Sequence, residues 1–284
     1  MTSERPTALL HGTSSWHEKS WVGGFYPEGT RQKDWLSYYA TQFGTVEVDS
    51  TYYGVPRATT VDGWLNRTPD GFVMCAKFPR GIVHAGEGPR PDQDALLVPD
   101  RVGGELDEFL TVMRRLGDRC GPLVLQFPHF SRTVFEDLDA FLPRLDSFVA
   151  SLPDDFRYAV EIRNRAWMTS PLLDVLRRHR VALVWTEIVN MPHPAELAAS
   201  LDLVTTDFIY ARLIGDRRAL DAKTDRFDRV VMDRGANLRR WAQVLKDTLP
   251  RIPTAYVYAN NHYAGHAPET IRTLIRMLRE EEDA

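Results

Sequence analysis

The chain has 284 residues, 43% hydrophobic and 26% charged, with 35 Lys and Arg against 39 Asp and Glu for a formal net charge of −4. That balance is ordinary for a globular protein, excludes a disordered chain or a fibrous repeat, and argues against a protein that coats nucleic acid. No apolar run approaches the ~20 residues that cross a bilayer, so no membrane partner is expected.

Met1–Thr7 is polar and lacks an apolar signal core. Cys75 and Cys120 make neither a disulfide framework nor a CxxC pair. A reducing, cytoplasmic location is the expectation. Eight short runs rich in Val, Ile, Tyr and Phe then read as strands: Ala8–Thr13, Thr45–Ser50, Phe72–Phe78, Leu123–Phe127, Tyr158–Arg163, Val181–Glu187, Phe208–Ile214 and Ala255–Asn260. Helical patterns lie between them. Lys33–Phe43 and Leu106–Leu116 each gather their apolar residues on one face. Val134–Leu152 carries Pro143, which should kink or break it. Ser170-Pro171 opens Leu172–His179, and Leu238–Leu249 and Pro268–Arg279 follow, with shorter helices at Thr59–Arg67 and Ala195–Leu201. Pro79–Pro99 reads as a long inserted loop, and the acidic end Glu280–Asp283 as a solvated helix terminus.

Eight strands, each followed by a helical stretch, predict a single α/β domain over 1–284, a (β/α)8 TIM-type barrel. The rival, a doubly wound open sheet, lacks its phosphate-loop signatures. Alternation within the strands sharpens the expectation. Val46, Val48, Val160 and Ile162 should face the covering helices, leaving Glu47, Asp49, Glu161 and Arg163 to point into the barrel mouth. By the same phase Lys77, Gln126, Arg212 and Asn260 fall near strand ends, at the rim where barrel active sites form.

Several segments resemble a known family in order along nearly the whole chain. Gly12–Trp16 (GTSSW), Trp21 and Phe25-Tyr26-Pro27 resemble the N-terminal signature of the YecE-like proteins, domain of unknown function 72. Val46–Tyr53, Ala76–Arg80 with His84, Leu125–Pro128, Glu161–Arg163 and Asn260–His262 resemble later motifs. The resemblance implies a TIM-type barrel and no assigned reaction. Several positions depart from the family pattern: Ser15 stands for Gly, His17-Glu18 follows Trp16 in place of an aromatic, Asp49 stands for Asn, Val83 for Thr before His84, and Ile214 for His.

Glu47 and Glu161 are the candidate general acid and base, with His84 as a further proton carrier or hydrogen-bond donor. Structural ion pairs, Glu161 with Arg163 and Glu47 with Lys77, are the alternative for each carboxylate. Lys77, Arg163 and Arg212 converge as an anion site, or as neutralisers of Glu47, Asp49, Glu161 and Glu187. Trp16 and Tyr53 could stack on a flat ring, whereas Phe25 and Tyr26 read as packing. Asp49, Gln126, Asn260, Asn261 and His262 complete the candidate binding set. His84, His262 and His266 could join carboxylates around a metal, but no HExxH or tight cluster exists, and neither metal nor cofactor is expected. The leading function is an enzyme, a hydrolase or lyase, acting on a small anionic or sugar-containing molecule. One alternative is a nucleic-acid-processing or nucleic-acid-binding barrel, favoured by Arg80, Arg90, Arg217, Arg218 and Lys223 and opposed by the net charge. The other is a ligand-binding barrel without catalysis.

Overall fold

The computed structural model describes residues 7–85 and 90–280. Eight strands, β1 (Ala8–Thr13), β2 (Thr45–Val48), β3 (Val73–Lys77), β4 (Cys120–Gln126), β5 (Tyr158–Glu161), β6 (Ala182–Ile188), β7 (Phe208–Gly215) and β8 (Thr254–Ala259), form one sheet in the order β1-β8-β7-β6-β5-β4-β3-β2. This is the (β/α)8 TIM-type arrangement. The helices are α1 (Trp35–Gln42), α2 (Ala58–Leu65), α3 (Arg80–Val83), α4 (Pro99–Met113), α5 (Leu138–Ser151), α6 (Ser170–Arg178), α7 (Pro194–Leu197), α8 (Arg217–Asp221), α9 (Gly235–Thr248), α10 (Asn261–Ala264) and α11 (Ala267–Glu280).

The chain falls into two compact units, one made of the described residues up to Val46 and from Trp185 onward, the other of Glu47–Val184. In the second unit β3, β4 and β5 pair in parallel, with Lys77 opposite Val124 and Gln126 opposite Glu161. Paired residues share a face and alternate residues return to it, so Lys77, Gln126 and Glu161 project from one side of this sheet. Every residue of β2 and β5 is buried, as in parallel strands covered on both sides. In the first unit β1 and β7 flank β8 in parallel. Gly12 is required there: a Cβ would sit 2.3 Å from the Thr45 carbonyl oxygen and 2.7 Å from the Tyr39 hydroxyl. That hydroxyl accepts the Thr13 N–H at 2.8 Å.

Four expectations need correction. Pro143 does not break α5; it is exposed, and the carbonyl it leaves without an N–H belongs to Asp139, an exposed residue of the helix's first turn. α4 starts at Pro99, seven residues before Leu106, because Pro99 opens its first turn. The loop expected from Pro79 to Pro99 contains α3; its residues 86–89 lie outside the described ones, as do 1–6 and 281–284 with most of both termini considered above. β2 and β5 end at Val48 and Glu161, so Asp49 and Arg163 lie beyond the strands whose alternation was extended to them. Asp49 has helical backbone and opens the one-turn helix Ser50–Tyr53.

Candidate functional site

In the Glu47–Val184 unit, strand ends carry two buried ion pairs. Glu47 has no exposed surface and its Oε1 lies 3.7 Å from Nζ of Lys77, whose side chain is 9% exposed. Glu161 also has no exposed surface, and its Oε1 accepts a 2.7 Å hydrogen bond from Nε of Arg163, which is 26% exposed. Ionised carboxylates in such surroundings need a compensating charge; the neighbouring strand β3 supplies Lys77 to Glu47, and the segment just after β5 supplies Arg163 to Glu161. The turn after β2 is fixed to the end of β3: the Thr51 hydroxyl accepts the Lys77 N–H at 3.0 Å and lies 2.8 Å from the Lys77 carbonyl. Lys77 is therefore held where it meets Glu47.

Five further side chains belong to this unit. Nη2 of Arg80, at the start of α3, lies 3.4 Å from Nδ1 of buried His84. Tyr52 is half-buried; burial raises its hydroxyl above the ordinary value, and the charges of Arg80 and Arg163 pull the other way. Tyr53 beside it is 84% exposed and presents an open ring. Asn164 clamps the loop after β4, accepting the Phe130 N–H at 2.9 Å and donating to its carbonyl at 2.8 Å. A cavity of about 580 Å³ adjoins it, with Arg132, Arg165 and Trp167 in its wall.

The remaining candidates belong to the other unit. Trp16 is 3% exposed and packs on His17 with ring centres 4.8 Å apart. Phe25 and Tyr26 are packing residues, 6% and 0% exposed. Arg212 is buried on β7, opposite Tyr258 of β8. Asn260 and Asn261 use their amide oxygens on the backbone, accepting N–H groups of His262 and Ala267 at 2.9 and 3.0 Å. His262 is lowered by burial and by Arg217, against the pull of Asp221 3.6 Å away.

Sequence reasoning cast Glu187 as a neutraliser or metal ligand; it is the centre of a hydrogen-bond network. Oε2 accepts from Tyr263 Oη and Trp241 Nε1, both at 2.7 Å, and Oε1 accepts from Asn237 Nδ2. His193 Nδ1 accepts the Ala195 N–H at 3.1 Å, so its proton sits on Nε2, 3.6 Å from Glu187 Oε2. Burial lowers His193, and Glu187 opposes that. The three hydrogen-bond donors come from α9 and α10, 50 to 76 residues from Glu187 in sequence, and no local motif announces them, whereas His193 stands just before α7. Among the described residues, no three His, Cys, Asp or Glu side chains come together as a metal would need.

A sequence model described as protein of unknown function DUF72 matches residues 10–284. The chain belongs to the DUF72 family. The UPF0759 protein YecE of Escherichia coli strain K12 is 37% identical over 129 residues, 45% of this chain and only 41% of YecE's own length. YunF of Bacillus subtilis strain 168, also a UPF0759 protein, is 21% identical over 94% of this chain and 93% of its own. A DUF72 family crystal structure from Thermotoga maritima MSB8 superposes with a TM-score of 0.67 at 24% identity, covering 96% of this chain and 99% of that one. One from Enterococcus faecalis V583 gives 0.68 at 20% identity, covering 95% of each. Both share the fold. One departure from the DUF72 pattern has a visible backbone consequence: Ser15, where the motif carries Gly, has φ of 73°, in the left-handed region. Ile214 is half-buried on β7.

Proposed function

We propose that this DUF72 protein is an enzyme, a hydrolase or lyase, that takes a small anionic or sugar-containing molecule at the strand ends carrying Glu47, Lys77, Gln126, Glu161 and Arg163. The carrying observation is the exposure gradient in one ion pair: Glu161 is wholly buried while Arg163 is 26% exposed. Lys77 and Arg163 already hold protein carboxylates, so an incoming anion must compete for them. Oxygens of a phosphate or carboxylate engage the outward side of the Arg163 guanidinium, whose planar fork offers several donors. As Arg163 turns to the substrate, its charge is shared between the ligand and buried Glu161. Glu161 then becomes more basic and takes or returns a proton at the substrate. Glu47 remains neutralised by Lys77, Gln126 orients the substrate by hydrogen bonding, and His84 beside Arg80 is the second proton carrier. The open Tyr53 ring is a platform for a sugar face.

The experiment is ligand identification by native mass spectrometry of the purified protein, followed by thermal shift with the recovered compound and with sulfate. The compound should raise the melting temperature of wild type and of Glu161→Gln, since binding needs the cations, and should fail to raise that of Arg163→Ala. Turnover of the compound should vanish in Glu161→Gln. A ligand that stabilises Arg163→Ala as well as wild type refutes the anion role. Full turnover by Glu161→Gln removes Glu161 from the chemistry.

A further inference from the structure

We propose that a pocket between the end of α1 and the outer face of α11 is a binding site for a small oxyanion, inorganic phosphate or the phosphate group of a small molecule. It is built from residues that take no part in the chemistry proposed above. The cavity is about 340 Å³, and His11, Gln42, Phe43, Arg272, Arg276 and Arg279 line it. Arg276 and Arg279 follow Arg272 by four and seven residues, so all three lie on one face of α11. Among the described residues, no carboxylate lines the cavity and none of the three arginines is ion-paired.

Arg272 is already positioned. Its guanidinium lies over the rings of Phe25 and Phe43, 5.4 and 5.5 Å from their centres, and Nη2 donates to Gln42 Oε1 at 2.7 Å. An arginine has five N–H donors, so the fixed group keeps others for a ligand. His11 also lines the pocket, and its Nδ1 is enclosed by protein. Burial lowers the His11 imidazole, the Leu9 backbone opposes this, and Arg279 and Arg272 lower it further. Three cations around one cavity repel one another, and an anion between them converts that repulsion into attraction. Basic residues in a last helical turn also offset the helix dipole. That role requires neither a cavity nor an arginine pinned between a glutamine and two rings.

The test titrates sulfate into the full-length protein, with chloride holding ionic strength constant, and follows the His11 ring by NMR. Sulfate keeps its charge across the histidine range, so a change in His11 titration reports the site. A saturable shift of the His11 signals and an upward move of its titration midpoint are expected. Both should disappear in Arg276→Gln/Arg279→Gln and persist in Arg163→Ala. A parallel titration with glycerol phosphate identifies the source: tighter saturation than sulfate marks a phosphorylated small molecule, equal saturation the inorganic ion. An equal response to chloride, or one that survives Arg276→Gln/Arg279→Gln, overturns the site. So does a response that needs Glu281→Gln/Glu282→Gln/Asp283→Asn, because the chain's own carboxylates would then be the occupant.

Discussion

Tyr263→Phe removes one hydroxyl from the Glu187 network and leaves the ring in place. The hydroxyl donates to a carboxylate oxygen at 2.7 Å from a residue with no exposed surface. A buried hydrogen bond to a charged group is worth about 1.5–3 kcal/mol. Trp241 still donates to the same oxygen at 2.7 Å, so the carboxylate is not orphaned and the cost should be about 2 kcal/mol. Tyr26→Phe is the internal control. Tyr26 is equally buried, but its hydroxyl donates to a neutral acceptor, the Trp16 carbonyl, at 2.5 Å. It should cost about 1 kcal/mol. Urea unfolding at neutral pH measures both, read as a change in midpoint at constant slope. In a Glu187→Gln background the charge is gone. Tyr263→Phe should then lose its excess over the control, giving a coupling energy of about 1 kcal/mol in the double-mutant cycle. Equal costs for the two tyrosines, or zero coupling to Glu187, would refute the claim that a charge-assisted bond ties α10 to β6.

The remaining predictions follow from burial and backbone geometry. Gly12→Ala drives a methyl group into a backbone carbonyl at 2.3 Å and should cost about 3 kcal/mol or prevent folding. Gly44→Ala, with nothing within 4 Å of its added carbon, should change the melting temperature little. Burial lowers His11, His193, His262 and His266 from an ordinary 6.5. Below that value the unfolded chain takes up protons that the folded one resists. Stability is therefore full above the unfolded midpoint and is lost as pH falls toward the lowered folded values. His193→Asn keeps an oxygen to accept the Ala195 N–H and removes one titrating group. Its unfolding free energy should fall less steeply than wild type between about pH 6.5 and pH 5, and an unchanged slope would exclude His193.

The fold was legible because its signals are local. Each strand lies in a short, largely apolar run, and eight such runs separated by helical periods leave few arrangements open. Strand ends were less legible. Nothing in Val46-Glu47-Val48-Asp49 marks where extended backbone stops, and the stop is set by Thr51 turning back to bond the end of β3. Pro143 does not end its helix because it sits near the start of α5, on an exposed face. The Glu47–Lys77 pair was legible because alternation and strand neighbourhood suffice to find it, and the Glu161–Arg163 pair because its members are two residues apart, although Arg163 lies beyond β5. The Glu187 network was not, because its donors lie 50, 54 and 76 residues away and meet only after α9 and α10 pack.

Trp16 and Tyr53 show why position after a strand does not decide whether a ring is open. Both were candidates on that ground, yet Trp16 is 3% exposed and Tyr53 84%. Ser15 holds φ at 73° and turns the chain immediately before Trp16. The turn brings the Trp16 carbonyl to the Tyr26 hydroxyl and its ring against His17, within an aromatic cluster that includes Trp21, Phe25 and Trp35. Tyr53 ends a single helical turn whose buried member is Thr51. With about three residues per turn, anchoring Thr51 to Lys77 directs the side chain two positions later away from the strand end. One loop spends its aromatic on packing because its backbone folds back on itself. The other leaves its ring outside because a threonine already fills the contact.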